Sequence, residues 1–210
     1  LIVLFLTPCI LALCLLAGPS DSIIPDWRTT TGHAILMIRL SRVIAGFFVG
    51  AALACAGAIL QSVLRNPLAE PYVLGVSSGA GLGAALAIVS GFAGTTLLAL
   101  PVTAFCCAVI TLAIVYGISG VGGRNSVYGL ILSGVIVSSI CSSILMSIVA
   151  LAPVEGMHGI MWWMLGNLDI QSNDLLIVVC VLIALGIGFA WTLSPELNAL
   201  SLGSEMAHHV

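Results

Sequence analysis

The sequence predicts an all-α fold, a polytopic transmembrane helical bundle. Of its 210 residues 60% are hydrophobic, compared with roughly 45–50% in soluble domains. Only five basic and eight acidic residues are present, too few to cover a soluble fold of this size. Val43–Leu64 carries no charge over 22 residues, and Tyr72–Gly123 carries none over 52. Runs of this length predict membrane-spanning helices, and no segment alternates in polarity as barrel strands do.

Six apolar segments account for the predicted spans. The second, taken in order, would extend about 33 Å at 1.5 Å per residue, enough to cross the hydrocarbon layer. The third is short and rich in glycine, and the fourth is entered through Pro101. The six expected spans are Leu1–Ala17, Val43–Leu64, Val76–Val89, Leu97–Ile118, Val127–Ala150 and Leu175–Leu193.

Three polar stretches separate or follow these spans. Gly18–Ser41 should lie outside the membrane between the first two spans. Pro153–Asn173 contains Trp162 and Trp163 and predicts a helix at the membrane interface, where tryptophan is enriched. The mixed polarity of Leu197–Val210 predicts that the chain has left the membrane there. Because the chain opens inside an apolar run and stops within a helical pattern, we expect 1–210 to be one domain of a longer protein.

The charged residues exclude several function classes. All five basic residues are arginine, so residues 1–210 contain neither a Walker A lysine nor a Schiff-base lysine. The net charge of −3 and the lack of basic clusters argue against a nucleic-acid partner. The seven cysteines lie inside apolar segments without a CxxC motif, which favours a packing role over a metal or a disulfide. We therefore expect no metal, no cofactor and no enzymatic activity.

Small residues and serines form two further patterns. Gly46, Gly50, Ala54 and Ala58 recur every four residues on the second span, as do Gly75, Gly79, Gly83 and Ala87 on the third. Such ladders lie on one helix face and let helices approach closely, and the pattern favours ordinary packing over a tight helix pair around a pathway. On the fifth span a serine stripe either lines a pathway or bonds to neighbouring helices and to carbonyls one turn back. The candidate pathway residues are Ser139, Ser142, Ser143 and Ser147.

The most unusual segment is the polar break Arg65–Gly79 between two uncharged runs. Gly75–Gly79 matches the G-x-S-x-G nucleophile elbow, but all four histidines lie outside the spans and no strand precedes the motif. Asn66-Pro67 is also found in water channels, which would need a second copy that this sequence lacks. The adjacent side chains of His208 and His209 would point about 100° apart on a helix, which indicates a surface pair rather than a metal site.

Several motifs, in order and spacing, closely resemble the permease subunits of ABC importers for iron–siderophores, haem and cobalamin. The blocks are Arg39–Val43, Val49–Ala54, Gly57–Gln61, Asn66–Pro71, Leu74–Ala80, Leu130–Gly134, Trp163–Gly166 and Leu200–Ala207. The resemblance implies ten spans in the full protein, with this chain covering the first six. It implies a bacterial cytoplasmic (inner) membrane location and alternating access. It also implies three kinds of partner: a second permease subunit in a homo- or heterodimer, two ATP-hydrolysing subunits, and a periplasmic or lipid-anchored binding protein.

The same resemblance assigns roles to residues. Arg39 and Arg42 would pair with glutamates of the binding protein, although Ser41 replaces the proline that the family usually has between them. A cytoplasmic gate would comprise Asn66, Pro67, Leu68 and Glu70, with Leu68 as an apolar plug. Residues 194–210 would begin the coupling helix that seats in the ATPase. The coupling residues would be Leu200, Gly203, Glu205 and Met206.

Three matters stay open at the level of sequence. The resemblance places Arg28, Arg39 and Arg42 outside and Arg65 and Arg124 inside, so the positive-inside rule does not support the orientation. The alternative function is an ion-coupled secondary transporter, which would favour an ionisable residue within a span, and no predicted span has one. The sequence does not distinguish among siderophore, haem and cobalamin, and an iron chelate represents the broadest part of the family.

Overall fold

The structure is a computed structural model that describes residues 2–17, 28–120, 126–168 and 172–202. Every regular element within these ranges is helical, and 3₁₀ turns occur at Pro71–Leu74 and Phe92–Gly94. The α-helices are α1 (Ile2–Leu16), α2 (Thr30–Leu64), α3 (Val76–Val89), α4 (Ala99–Ser119), α5 (Val127–Leu151), α6 (Val154–Leu165), α7 (Asn173–Thr192) and α8 (Ser194–Leu202).

The predicted all-α membrane fold is confirmed. Four helices, α2, α4, α5 and α7, are long and apolar enough to cross a membrane, and Phe5–Leu16 and Val76–Val89 are shorter apolar helices. Their outward side chains are large and apolar, such as Phe105 and Phe189, each more than two-thirds exposed. A helix surface of this kind suits lipid rather than water.

Internal contacts divide the chain into two units. The first comprises Leu1–Cys55 and Leu168–Pro195, and the second comprises Ala56–Asn167 and Glu196–Val210. The first unit therefore holds α1, the first part of α2 and α7, while the second holds α3 to α6 and most of α8. The assignment of 1–210 to one domain stays a prediction.

Helix α2 begins well before the predicted span. The polar segment was expected to run to Ser41, but the helix starts at Thr30. The Thr29 hydroxyl accepts a hydrogen bond from the Gly32 N–H at 3.1 Å, which caps the first turn. Arginine is compatible with a helix, and its aliphatic stem can lie along apolar surface. Charge alone was therefore the wrong signal for the start of the helix.

The second unit is organised around α3 and α4, which pack closely through the glycines of α3. A Cβ on Gly83 would lie 2.7 Å from the Cys107 Cβ and 2.7 Å from the Thr103 carbonyl oxygen. Gly79 lies against Thr111 in the same way. The glycine ladder of α3 is thus a helix-packing surface. On α2, by contrast, a Cβ on Gly50 would meet no atom within 4 Å.

The buried face of α4 follows a helical stripe, Ala104, Ala108, Thr111, Val115 and Ser119. Small residues recur on this face and admit the backbone of α3. The polar members are satisfied locally, as in the Thr111 hydroxyl, which donates to the Cys107 carbonyl at 2.8 Å. Such back-bonding lets a hydroxyl sit in an apolar interior without an unpaired donor.

Helix α5 packs on this pair and is fixed by a buried hydrogen bond. The Ser133 side chain is 2% exposed and donates to the Val115 carbonyl of α4 at 3.1 Å. Around it, Leu74, Val115, Val137 and Cys141 form an apolar cluster. The 3₁₀ turn that precedes α3 contributes Leu74 to this cluster.

Helix α6 is the short helix expected between the fifth and sixth spans. Its Ile160 is 1% exposed and packs with Ala85 of α3 and Leu145 of α5. Trp162 is exposed and Trp163 is half-buried. The helix is therefore amphipathic, and one face belongs to the core of the second unit.

We predict that Gly83→Ala destabilises the protein by about 1–3 kcal/mol, because the added methyl group collides with Cys107 and overpacks the interface. The matched control is Gly117→Ala on α4, where a Cβ would meet no atom within 4 Å. The two variants of the full-length protein should be compared by thermal unfolding in detergent. Equal melting temperatures would contradict the role given to the α3–α4 contact.

Candidate functional site

The polar break between α2 and α3 forms an ordered turn. At the end of α2 the Asn66 N–H bonds to the Gln61 carbonyl at 3.2 Å, and Arg65 has a φ of +49°. This is the Schellman arrangement, in which a left-handed residue closes the helix and glycine is the usual occupant. For a residue with a Cβ the left-handed conformation costs roughly 1–2 kcal/mol. The chain accepts this cost and retains an arginine side chain at the position.

The turn that follows is held by the Asn66 side chain. Its Oδ1 accepts a hydrogen bond from the Leu68 N–H at 2.9 Å, and its carbonyl accepts one from the Ala69 N–H at 3.0 Å. Ala69 is buried, whereas the Leu68 side chain is 84% exposed. A rigid turn therefore presents one large apolar side chain. Asn66, Pro67, Leu68 and Glu70 are brought together here, and their role as a gate stays a prediction.

The turn leads into the 3₁₀ turn Pro71–Leu74 and then into α3 through Gly75. Gly75 has a φ of +78°, which glycine adopts without a Cβ penalty. A Cβ at this position would also lie 3.0 Å from the Ser138 Oγ of α5. Gly134 of α5 lies directly against the Val73 carbonyl and leaves no space for a side chain. Glycines on both sides thus fix the turn against α5.

Beyond the turn, the second unit contains a cavity of about 360 Å³ between α3, α5 and α6. Five of its lining residues carry hydroxyl groups: Tyr72, Ser77, Ser78, Ser138 and Ser142. The others are Gly81, Leu145, Trp163 and Met164. None of these nine side chains is charged. The wall can therefore offer hydrogen bonds and an aromatic face, but no fixed charge.

The serines of this region divide into two groups. Ser139, Ser143 and Ser147 donate to the carbonyls of Val135, Ser139 and Ser143, at 2.8–2.9 Å. Within the described part of the chain no hydrogen bond is found for the hydroxyls of Ser77, Ser138 and Ser142. Of the four predicted pathway residues, Ser142 lines the cavity and the other three lie outside its wall.

Sequence reasoning missed most of this wall. Ser77, Ser78 and Ser138 were visible as serines, but only the packing of α3 on α5 brings them together with Trp163. The elbow-like Gly75–Gly79 motif is explained by the same geometry. Ser78 donates to the Gly75 carbonyl at 2.9 Å within the first turn of α3, and Ser77 lines the cavity, so the motif forms the start of α3 and part of the wall.

The two predicted docking arginines lie in the first unit, on α2. Arg39 Nη1 donates to the Leu16 carbonyl at 2.9 Å and to the Leu15 carbonyl at 3.4 Å. Arg39 therefore binds the last turn of α1, where carbonyls lack helical partners. Arg42 is exposed, and both guanidinium groups border an open groove with Cys14 and Ile38. Their docking role stays a prediction.

The predicted coupling segment is described only in part. Leu200 lies in α8 and is 39% exposed, while Gly203, Glu205 and Met206 lie outside the described residues. Arg124 and His208-His209 also lie outside them. One contact was not foreseen: the Arg65 Nε donates to the Leu200 carbonyl at 3.0 Å. The polar turn after α2 is thereby joined to α8 within the second unit.

The fold and this site define a class, a multi-pass helical membrane protein with an uncharged, hydroxyl-lined cavity. Comparison with known proteins gives the family. Residues 4–210 match the model of the FecCD transport family, and the chain belongs to that family.

Named relatives support this assignment. The Fe(3+)-citrate import system permease protein YfmD of Bacillus subtilis is 35% identical over 212 residues, covering 94% of this chain and 60% of the relative. The vitamin B12 import system permease protein BtuC of Shigella boydii is 34% identical over 213 residues, covering 99% and 63%. The chain thus spans less than two-thirds of the length of these relatives.

A solved structure agrees at the level of the fold. It is an inward-facing conformation of a metal-chelate type ABC transporter, and it matches this chain with a TM-score of 0.81 at 30% sequence identity. The match covers 98% of this chain and 64% of the other. The predicted resemblance to iron chelate, haem and cobalamin permeases is therefore confirmed.

Proposed function

We propose that the full-length protein is the permease subunit of an ATP-driven ABC importer that moves an iron chelate, haem or cobalamin across the bacterial cytoplasmic (inner) membrane by alternating access. The observation that carries this proposal is the match of residues 4–210 to the FecCD transport family. Because these residues contain no lysine, none of them forms a Walker A loop. ATP hydrolysis is accordingly assigned to two partner subunits, and a second permease subunit completes the pathway.

The cavity between α3, α5 and α6 is proposed as part of the substrate route. Its hydroxyls and Trp163 can contact a large polar chelate, and its lack of charge keeps any single contact weak. A pathway needs this balance, since binding must be favourable enough for entry and weak enough for release. Relatives named for ferric citrate and for vitamin B12 support a bulky chelate as substrate, and we favour an iron chelate.

The turn after α2 is proposed as the gate. Leu68 presents its side chain from a turn that Asn66 holds with two hydrogen bonds, and it has no apolar cover of its own, being 84% exposed. A second permease subunit would bring its own matching turn to the same constriction. An apolar constriction excludes water and polar solutes when closed.

Arg39 and Arg42 are proposed to dock the substrate-binding protein through carboxylates. Their spacing of three residues places both on one face of α2. The contacts of Arg39 with the α1 carbonyls hold it at the end of that helix, and Arg42 is the more exposed of the two. Docking through rim charges should steer association and weaken with salt.

The test of the proposed function is uptake by the full-length protein in proteoliposomes with its partner ATPase and binding protein. We expect ATP-dependent accumulation of a labelled ferric siderophore in preference to labelled cobalamin. Ser142→Leu, which fills the cavity, should lower the initial rate at least about tenfold, whereas Ser142→Ala should retain most of it. Absence of ATP-dependent uptake of ferric siderophore, haem and cobalamin alike would contradict the proposal.

A second prediction concerns the gate. Leu68→Ala should raise the leak of substrate from loaded liposomes without ATP, because the shorter side chain no longer fills the constriction. Leu68→Met keeps an apolar side chain of similar volume and serves as the control. An unchanged leak in Leu68→Ala would argue against a plug at this position.

A third prediction concerns docking. Arg42→Glu should weaken binding of the substrate-binding protein about tenfold at low salt, through a slower association rate, and the difference should shrink as salt is added. Arg42→Lys preserves the charge and should bind within about threefold of the parent. Surface plasmon resonance on the nanodisc-embedded complex measures the association and dissociation rates of the substrate-binding protein. Unaltered affinity in Arg42→Glu would rule out a docking contact there.

A further inference from the structure

Arg65 is held by its backbone at the gate turn and by its side chain at α8. Its φ of +49° closes α2, and its Nε donates to the Leu200 carbonyl 135 residues further along the chain. Both ends of this contact belong to the second unit. A hydrogen bond from a guanidinium is charge-assisted and therefore stronger than one between neutral groups.

The residues that follow make the turn a stiff extension of Arg65. Asn66 bonds back to Gln61 and forward to the amides of Leu68 and Ala69. Because Pro67 has a fixed φ and Asn66 is hydrogen-bonded on both sides, few backbone torsions between Arg65 and Leu68 are free to absorb a displacement at Arg65. The same turn is anchored beyond by Gly75 against α5.

We infer that Arg65 is a positioning residue that links α8 to the gate turn, so that movement of α8 is transmitted to Leu68. This inference rests on the proposed function, in which α8 contacts the partner ATPase and Leu68 closes the pathway. The acceptor is a main-chain carbonyl, so the link follows the helix backbone whatever side chains α8 carries. It also explains why an arginine occupies a left-handed position that glycine would fill with less strain.

The test follows the gate without any transported substrate. In the full-length complex with its partner ATPase, the native cysteines are replaced and Leu68→Cys is introduced. A thiol reagent is added from the cytoplasmic side, and the rate at which it labels Leu68→Cys is measured. In an otherwise unchanged background, ATP with vanadate should alter that rate about fivefold or more, the lower end of the usual range for coupled sites. When Arg65→Asn is added, the labelling rates with and without ATP and vanadate should lie within about twofold of each other, while the complex still hydrolyses ATP.

Asparagine is the informative replacement because it tolerates the left-handed backbone but cannot reach Leu200. Arg65→Lys supplies a cationic donor of similar length and should restore at least half of the nucleotide response. A full nucleotide response in Arg65→Asn would overturn the inference. The inference would also be overturned if Arg65→Asn lost complex assembly and ATP hydrolysis along with the nucleotide response. It would equally be overturned if Arg65→Lys failed to restore the nucleotide response.

The outcome is separable from that of the proposed function. Suppose that the complex that carries Leu68→Cys and retains Arg65 neither hydrolyses ATP nor changes its labelling rate with ATP and vanadate. The proposed function then fails, whatever the effect of varying Arg65. If the parent responds and Arg65→Asn responds equally, only the link through Arg65 fails.

Discussion

The close contact of α3 with α4 is the constraint on which the second unit depends. Gly79 and Gly83 bring the α3 backbone against Thr111 and Cys107, at distances that a single methyl group would violate. With α3 held there, Gly75 meets α5, and the turn before it is fixed in place. The opposite side of α3 is left to form one wall of the cavity. Packing through glycine thus supports both the turn and the cavity without any charged residue.

Polar groups in this apolar fold are handled in two ways. Ser133 of α5 and Thr111 of α4 are buried, and both hydroxyls donate to backbone carbonyls of α4. Ser142 and Ser77 instead face a cavity and have no internal partner in the described part of the chain. Because an unpaired hydroxyl is costly in an apolar setting, such groups indicate a place where water or a ligand is received. This distinction, rather than the presence of serine, marks the candidate route.

The sequence was sufficient for the spans and insufficient for the contacts between them. Helix α3 begins and ends at the predicted residues, since Pro71 and Gly75 precede it and glycines follow its last turn. Helix α2 starts earlier than the charge pattern predicts, because Thr29 caps it and the arginines near its start are compatible with a helix. Local patterns also give no sign of the contact between Arg65 and Leu200, whose partners are far apart in the chain. Likewise, a period of four identifies a serine stripe, but only packing determines which serines reach the cavity.

The central claim is that the cavity wall formed by α3, α5 and α6 lies on the substrate route. It is tested most directly by the accessibility of single cysteines in the assembled transporter, with native cysteines replaced. A charged thiol reagent should modify Ser142→Cys, and bound substrate-loaded binding protein with ATP should protect it. Ser147→Cys, five residues further along the same helix and outside the wall, should show no such protection. Equal labelling of Ser142→Cys with and without substrate, or protection confined to Ser147→Cys, would contradict the account.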